Sequence, residues 1–153
     1  MAEPTPAAIL AAIPHRAPFR FIDEILEVDE HHIVAAYRFP EDADFYRGHF
    51  PGNPITPGVI LLETMAQAAV VAHGIYLVRL GGFGGYRPDA RMLTLFTDAT
   101  VEFTGLVRPG QRVVTRGEKR VFRRNFLRAS AEMCVDDGTV VCSGTLAGMG
   151  VPA

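Results

Sequence analysis

From Val59 to Val78 the chain runs for about 20 residues with only Glu63, Gln67 and His73 as strongly polar interruptions, roughly the length that spans a bilayer. Each of the three would be costly in hydrocarbon, and a Pro-rich loop, not a membrane flank, precedes the run. The expectation is therefore a buried helix of a soluble domain, starting near Gly58 and ending about Leu80. Gly81-Gly82-Phe83-Gly84-Gly85 then reads as its C-cap and a mobile loop. A helix apolar on nearly every face cannot stand alone in water. The rest of the chain has to wrap it.

The remaining sequence can do so. Thr5-Pro6 followed by Ala7 to Ile13 signals a short helix ended by Pro14, so residues 1–14 form an N-terminal helical segment. Phe19 to Val28 and His32 to Phe39 read as two strands joined around Asp29-Glu30. After the central helix, Arg91 to Phe103 and Gln111 to Phe122 read as strands, separated by the turn Arg108-Pro109-Gly110. Leu127, Ala129, Ala131, Met133 and Val135 alternate with polar residues, the mark of a half-buried strand, and Asp136-Asp137-Gly138 is a hairpin signal. Thr139 to Gly148 pairs back. The predicted fold is α+β, with a sheet of about five or six antiparallel strands curled around one long hydrophobic helix. At 153 residues the chain is expected to be one domain, 1–153.

Charge narrows the partners. The net charge of −2 implies no bulk attraction to nucleic acid. Within residues 108–128, however, eight cations face only Glu118. Such a run is either a solvated sheet face or a docking surface for an acidic partner. Cys134 and Cys142 make no disulfide framework, no Cys/His spacing suggests a metal site, and no cofactor is implied. The N-terminus lacks a basic flank and apolar core, so a cytoplasmic location is expected.

The candidate chemistry lies just before and within the helix. His49 sits among Gly48, Pro51, Gly52, Pro54 and Pro57, which stiffen the loop and hold the imidazole as a general base requires. Glu63 lies among Leu61, Leu62, Met65, Ala66 and Val70, where burial would favour its neutral, proton-donating form. Gln67, at i+4, is placed to support it by hydrogen bond. Gly58 opens the helix, where unpartnered N–H groups would stabilise a carbonyl oxygen gaining negative charge. A base, an acid and such an N–H fit proton abstraction beside a carbonyl with expulsion of a β-leaving group. His15, His31, His32 and His73 lack comparable settings.

The stretch from Gly48 to Gly58, followed by Leu62-Glu63-Thr64-Met65-Ala66-Gln67, resembles the signature of 3-hydroxyacyl-acyl-carrier-protein dehydratases of type II fatty acid synthesis. Pro14-His15-Arg16-Ala17-Pro18-Phe19, Ile22-Asp23 and Val107-Arg108-Pro109-Gly110 resemble that family's flanking motifs. The resemblance implies the hotdog fold and a homodimer, or a trimer of dimers, with His49 of one chain facing Glu63 of the other. It implies that His49 takes the C2 proton, Glu63 protonates the departing 3-hydroxyl, the Gly58 N–H polarises the thioester carbonyl and Gln67 supports Glu63. Glu at position 63, where the isomerising branch has Asp, resembles the dehydratase-only branch. The partner implied is an acyl carrier protein, for which Arg116, Lys119, Arg120, Arg123 and Arg124 would supply the docking charge. Two other functions fit a hotdog chain: an acyl-thioester hydrolase, or a non-catalytic acyl-binding subunit of a heterodimer.

Overall fold

The computed structural model describes residues 2–81 and 91–153. Helix α1 (Pro6–Ala12) opens the chain, with Thr5 Oγ1 accepting from the Ala8 N–H at 3.2 Å and Pro6 at the first turn. Strands β1 (Glu24–Val28) and β2 (His32–Arg38) then pair antiparallel. β1 is shorter than the predicted Phe19–Val28. The amide of Gln67 occupies the Phe21 N–H at 2.7 Å and the Phe19 carbonyl at 3.1 Å, so this stretch is tied to the helix rather than to a neighbouring strand.

The apolar run is one continuous helical rod in three parts: α2 (Gly58–Ala66), a π-helical stretch (Gln67–Ala72) and α3 (His73–Gly81). It continues through the predicted end at Leu80 to Gly81, and the rest of the predicted glycine-rich loop lies outside the described residues. The π-helical stretch is buried along its whole length and packs against β2 and three later strands: β4 (Arg112–Arg123), β5 (Phe126–Val135) and β6 (Val140–Pro152). Two glycines permit that approach. A Cβ at Gly117 would lie 2.6 Å from Ala69 Cβ, and one at Gly148 would lie 2.7 Å from Val70 Cγ1. Any larger residue would push the helix off the sheet.

With β3 (Met92–Phe103), the strands form one antiparallel sheet in the order β1-β2-β4-β5-β6-β3. Leu127, Ala129, Ala131 and Met133 of β5 face the core, as their alternation requires. The Asp136–Gly138 turn joins β5 to β6, with Gly138 at φ 86. One apolar cluster gathers Phe39, Tyr46, Met65, Val107, Met133 and Leu146 beneath α2. A second gathers Ile9, Ile13, Ile33, Tyr76, Leu77 and Leu127 beneath α3. The helix from Gly58 to Gly81 has the length and composition of a membrane span, but 61% of its most apolar window is buried inside this fold.

Among the described residues β3 stands at the sheet edge and pairs with β6 alone. Leu93, Leu95, Phe96 and Phe103 along it are all more than 40% exposed. A long apolar edge of this kind is a template for pairing with another chain.

Candidate active site

The loop before the helix is fixed by its own hydrogen bonds. Tyr46 Oη and Thr56 Oγ1, both buried, meet at 2.6 Å and close its two ends. The Thr56 N–H donates to the Val107 carbonyl at 2.8 Å, which ties the loop to the turn at 108–110. His49 is held from three sides. Its N–H donates to the Phe45 carbonyl at 3.1 Å and its carbonyl accepts from the Ile55 N–H at 2.9 Å. Its Nδ1 lies 2.9 Å from the Ile55 carbonyl. A carbonyl can only accept, so Nδ1 carries a hydrogen, and in the neutral ring Nε2 then holds the lone pair. The Phe50 ring stacks on the imidazole at 4.2 Å. These bonds tie the loop in addition to its prolines.

Gly58 begins α2 directly after Pro57, which offers no side-chain cap. The Ile60 and Leu61 N–H groups both turn back to the Pro57 carbonyl, and those of Gly58 and Val59 precede the first intrahelical bond. A Phe103 ring atom lies 3.3 Å from where a Gly58 Cβ would stand, so the helix head borders the exposed β3 strip.

Glu63 corrects the sequence reading in one respect. It is part-exposed rather than enclosed, with 19% of its side chain reaching solvent. Thr64, Met65 and Ala66 take the covered faces of the helix, and Glu63 lies on the flank crossed by residues 15–21. Gln67 fulfils the expected contact: its Nε2 donates to Glu63 Oε1 at 3.0 Å. Gln67 is wholly buried, and its amide joins Phe19, Phe21 and Glu63 in one network.

The neighbour that sequence reasoning missed is His15, whose Nε2 lies 3.6 Å from Glu63 Oε1. Burial, partly offset by the nearby Glu63 charge and reinforced by Arg20, holds its pKa below the ordinary value. The flanking motif Pro14–Phe19 contains it but does not show its partner, because the contact forms only when the N-terminal segment crosses the helix. Within one chain, no hydrogen bond or ion pair joins His49 to Glu63 among the described residues. His73 is fully buried, with Nε2 against the Asp29 carbonyl at 2.8 Å, as a core histidine. Cys134 and Cys142 are free thiols, and burial pushes that of Cys142 up to about 11.

The basic window divides in two. Arg116 meets Glu118 at 3.4 Å and Glu27 at 4.0 Å, and Arg120 meets Glu118 at 3.7 Å. Arg112 and Arg128 pair with Glu24 and Asp98. Much of the window is thus a sheet face with matched charges. Of the five residues singled out, Lys119, Arg123 and Arg124 have no carboxylate partner among the described residues. Arg124 forms the β4–β5 turn at φ 55. Beside that turn a cavity of about 350 Å³ opens between α1, α3 and the sheet, floored by Ile13, Val70, Val78, Phe122 and Leu127. Arg16, Arg79 and Arg91 also line it. Among the described residues no cluster of His, Cys, Asp or Glu is arranged to hold a metal ion.

A helix wrapped by a six-stranded antiparallel sheet, with a histidine loop at its head and a carboxylate one turn in, defines a hotdog-fold protein. The chain belongs to the FabA-like domain family, whose profile matches residues 13–145. It is 38% identical to a 3-hydroxyacyl-[acyl-carrier-protein] dehydratase FabZ of Thermus thermophilus, over 90% of this chain and 91% of that one. A protein of the same name from Caldicellulosiruptor bescii is 35% identical over 90% of this chain and 92% of its own length. Among solved structures, the dehydratase heterocomplex ApeI:P of Xenorhabdus doucetiae superposes with a TM-score of 0.75 at 18% identity, covering 95% of this chain and 90% of that one. A hypothetical thioesterase from Streptococcus pneumoniae, solved with coenzyme A, superposes at 0.61 with 13% identity, covering 84% and 85%. At these identities the structural likeness speaks for the fold.

Proposed function

We propose that this protein is a hydro-lyase that dehydrates (3R)-3-hydroxyacyl thioesters on acyl carrier protein to trans-2-enoyl thioesters, in fatty acid or related lipid biosynthesis. The observation that carries the reading is the 2.9 Å contact of His49 Nδ1 with the Ile55 carbonyl, which sets the tautomer of the neutral ring. With Nδ1–H committed to the Ile55 carbonyl, Nε2 is a fixed lone pair, as a base that removes a C2 proton requires. The curated relatives, named as dehydratases over nine-tenths of the chain, support the same reaction.

In this mechanism His49 Nε2 takes the C2 proton while the Gly58 N–H receives the charge building on the thioester oxygen. The C2–H electron pair becomes the C2=C3 bond, and the C3–O bond breaks. Glu63 gives its proton to the departing hydroxyl, which leaves as water. Gln67 holds Glu63 Oε1, so Oε2 is the oxygen free to face substrate. Proton return through solvent restores the neutral imidazole and the carboxylic acid.

The working unit is a homodimer, with His49 of one chain facing Glu63 of the other. The lack of a His49–Glu63 contact within a chain supports this, as does the apolar β3 edge that reaches the helix head at Phe103. Two copies meeting there would cover the strip. Three such dimers could form a hexamer. Lys119, Arg123 and Arg124, which meet no carboxylate among the described residues, suit an acidic carrier protein. The chain is one domain acting in the cytoplasm.

Absorbance at the enoyl thioester band tests the reaction. His49→Ala and Glu63→Gln should each lose ~10²–10⁴-fold in turnover. Near wild-type turnover in both variants would overturn this mechanism, and thioester hydrolysis without dehydration would overturn the reaction class.

A further inference from the structure

The proposed mechanism gives Glu63 one supporting side chain, Gln67, but two side chains converge on its Oε1. His15 Nε2 is 3.6 Å away, and both side chains are 19% exposed, so the pair lies at the margin of the core. The His15 ring is confined: Phe19 stacks at 6.5 Å, and the His15 backbone carbonyl accepts from Arg16 Nη1 at 2.8 Å. Its other nitrogen, Nδ1, is buried and meets no hydrogen-bond partner among the described residues. A buried N–H without an acceptor costs more than a buried lone pair, because an acceptor is the easier group to leave under-satisfied. Nδ1 therefore holds the lone pair and Nε2 the hydrogen, which points the donor at the carboxylate.

We infer that His15 is a positioning residue for Glu63: its Nε2–H is a second donor to Oε1 that engages when Glu63 gives up its proton. At 3.6 Å the contact is longer than a hydrogen bond, so it contributes little to the resting acid. As the carboxylate forms, a small approach completes the bond. With Gln67 it keeps the negative charge on Oε1 and leaves Oε2 toward the substrate. The interaction is stronger in the charged state than in the neutral one, so it favours turnover over binding. This inference rests on the assignment of Glu63 as the acid.

The test uses amide reach. The Gln side-chain nitrogen extends about as far as His Nε2, and that of Asn about as far as Nδ1. His15→Phe should lower kcat roughly 5- to 20-fold, the equivalent of about 1–1.8 kcal/mol, with KM within about twofold. His15→Gln should recover most of the loss and His15→Asn little of it. In a Glu63→Gln background, His15→Phe should have no further effect. Thermal melts of each variant identify any that fails to fold, and the Gln–Asn contrast stands without the Phe variant. The inference is overturned if Gln and Asn behave alike, if KM alone changes, or if His15→Phe turns over like wild type. Full activity in Glu63→Gln would instead refute the acid assignment.

Discussion

Replacing Gln67 by Leu tests how the N-terminal segment and the acid are held by one side chain. Gln67 is wholly buried and makes three hydrogen bonds, to the Phe21 N–H at 2.7 Å, the Phe19 carbonyl at 3.1 Å and Glu63 Oε1 at 3.0 Å. Leu fills most of the same space, so the cavity contribution is small. The Phe21 N–H, beside a residue that is 3% exposed, is left with no acceptor. A buried donor stranded in this way costs about 1–3 kcal/mol. Phe19 is half exposed and Glu63 part-exposed, so water replaces much of their losses. The expected loss of stability is about 2 kcal/mol, which for a chain of this size lowers Tm by roughly 4–8 °C. Glu63 also loses one neutral donor, about 0.5–1.5 kcal/mol, so kcat should fall roughly 2- to 10-fold. Calorimetry and the enoyl absorbance assay on the same preparation measure both. A Gln67→Leu protein with wild-type Tm and turnover would refute the coupling described here.

The close approach of helix and sheet predicts that Gly117→Ala, with its Cβ 2.6 Å from Ala69 Cβ, destabilises by about 1–3 kcal/mol in urea titrations, while a Gly81→Ala control changes little. His15 and His73 predict the pH response of stability. Burial holds both below the ordinary 6.5, so beneath that pH the unfolded chain takes up protons that the folded chain does not. Stability should therefore fall as pH drops from about 7 to 5, by up to about 1.4 kcal/mol per unit for each histidine, and His73→Gln should flatten the slope. A urea midpoint that holds or rises over that range would contradict this. Charge reversal at Arg123 and Arg124 should raise KM for carrier-linked substrate and spare a pantetheine analogue. Equal effects on both substrates would leave the docking role without support.

The apolar run from 59 to 78 made the architecture legible, because a helix with no polar face admits few containers. Hairpin chemistry at 136–138 and the alternation on β5 placed the strands to within a few residues. What could not be read was tertiary. The N-terminal strand was predicted too long because its backbone groups are claimed by Gln67, far away in sequence. The exposure of Glu63 depends on which helix flank the sheet leaves open, and the apolar residues around it in sequence do not tell. His15 looked inert because its partner lies on another element. The carboxylates that match Arg112, Arg116 and Arg128 come from β1, β3 and their neighbours, so a linear charge count overstated the free basic surface.

The division of the site between two chains is the central claim, and subunit mixing tests it most directly. His49→Ala and Glu63→Gln proteins, each inactive alone, are unfolded together, refolded and assayed. Random pairing makes half the dimers mixed, and each mixed dimer regains one intact site of two, so activity should return to roughly a quarter of wild type. If base and acid served within a single chain, every site in the mixture would carry a defect. Activity staying at the level of the separate variants, with mixed dimers shown to be present, would contradict the shared site.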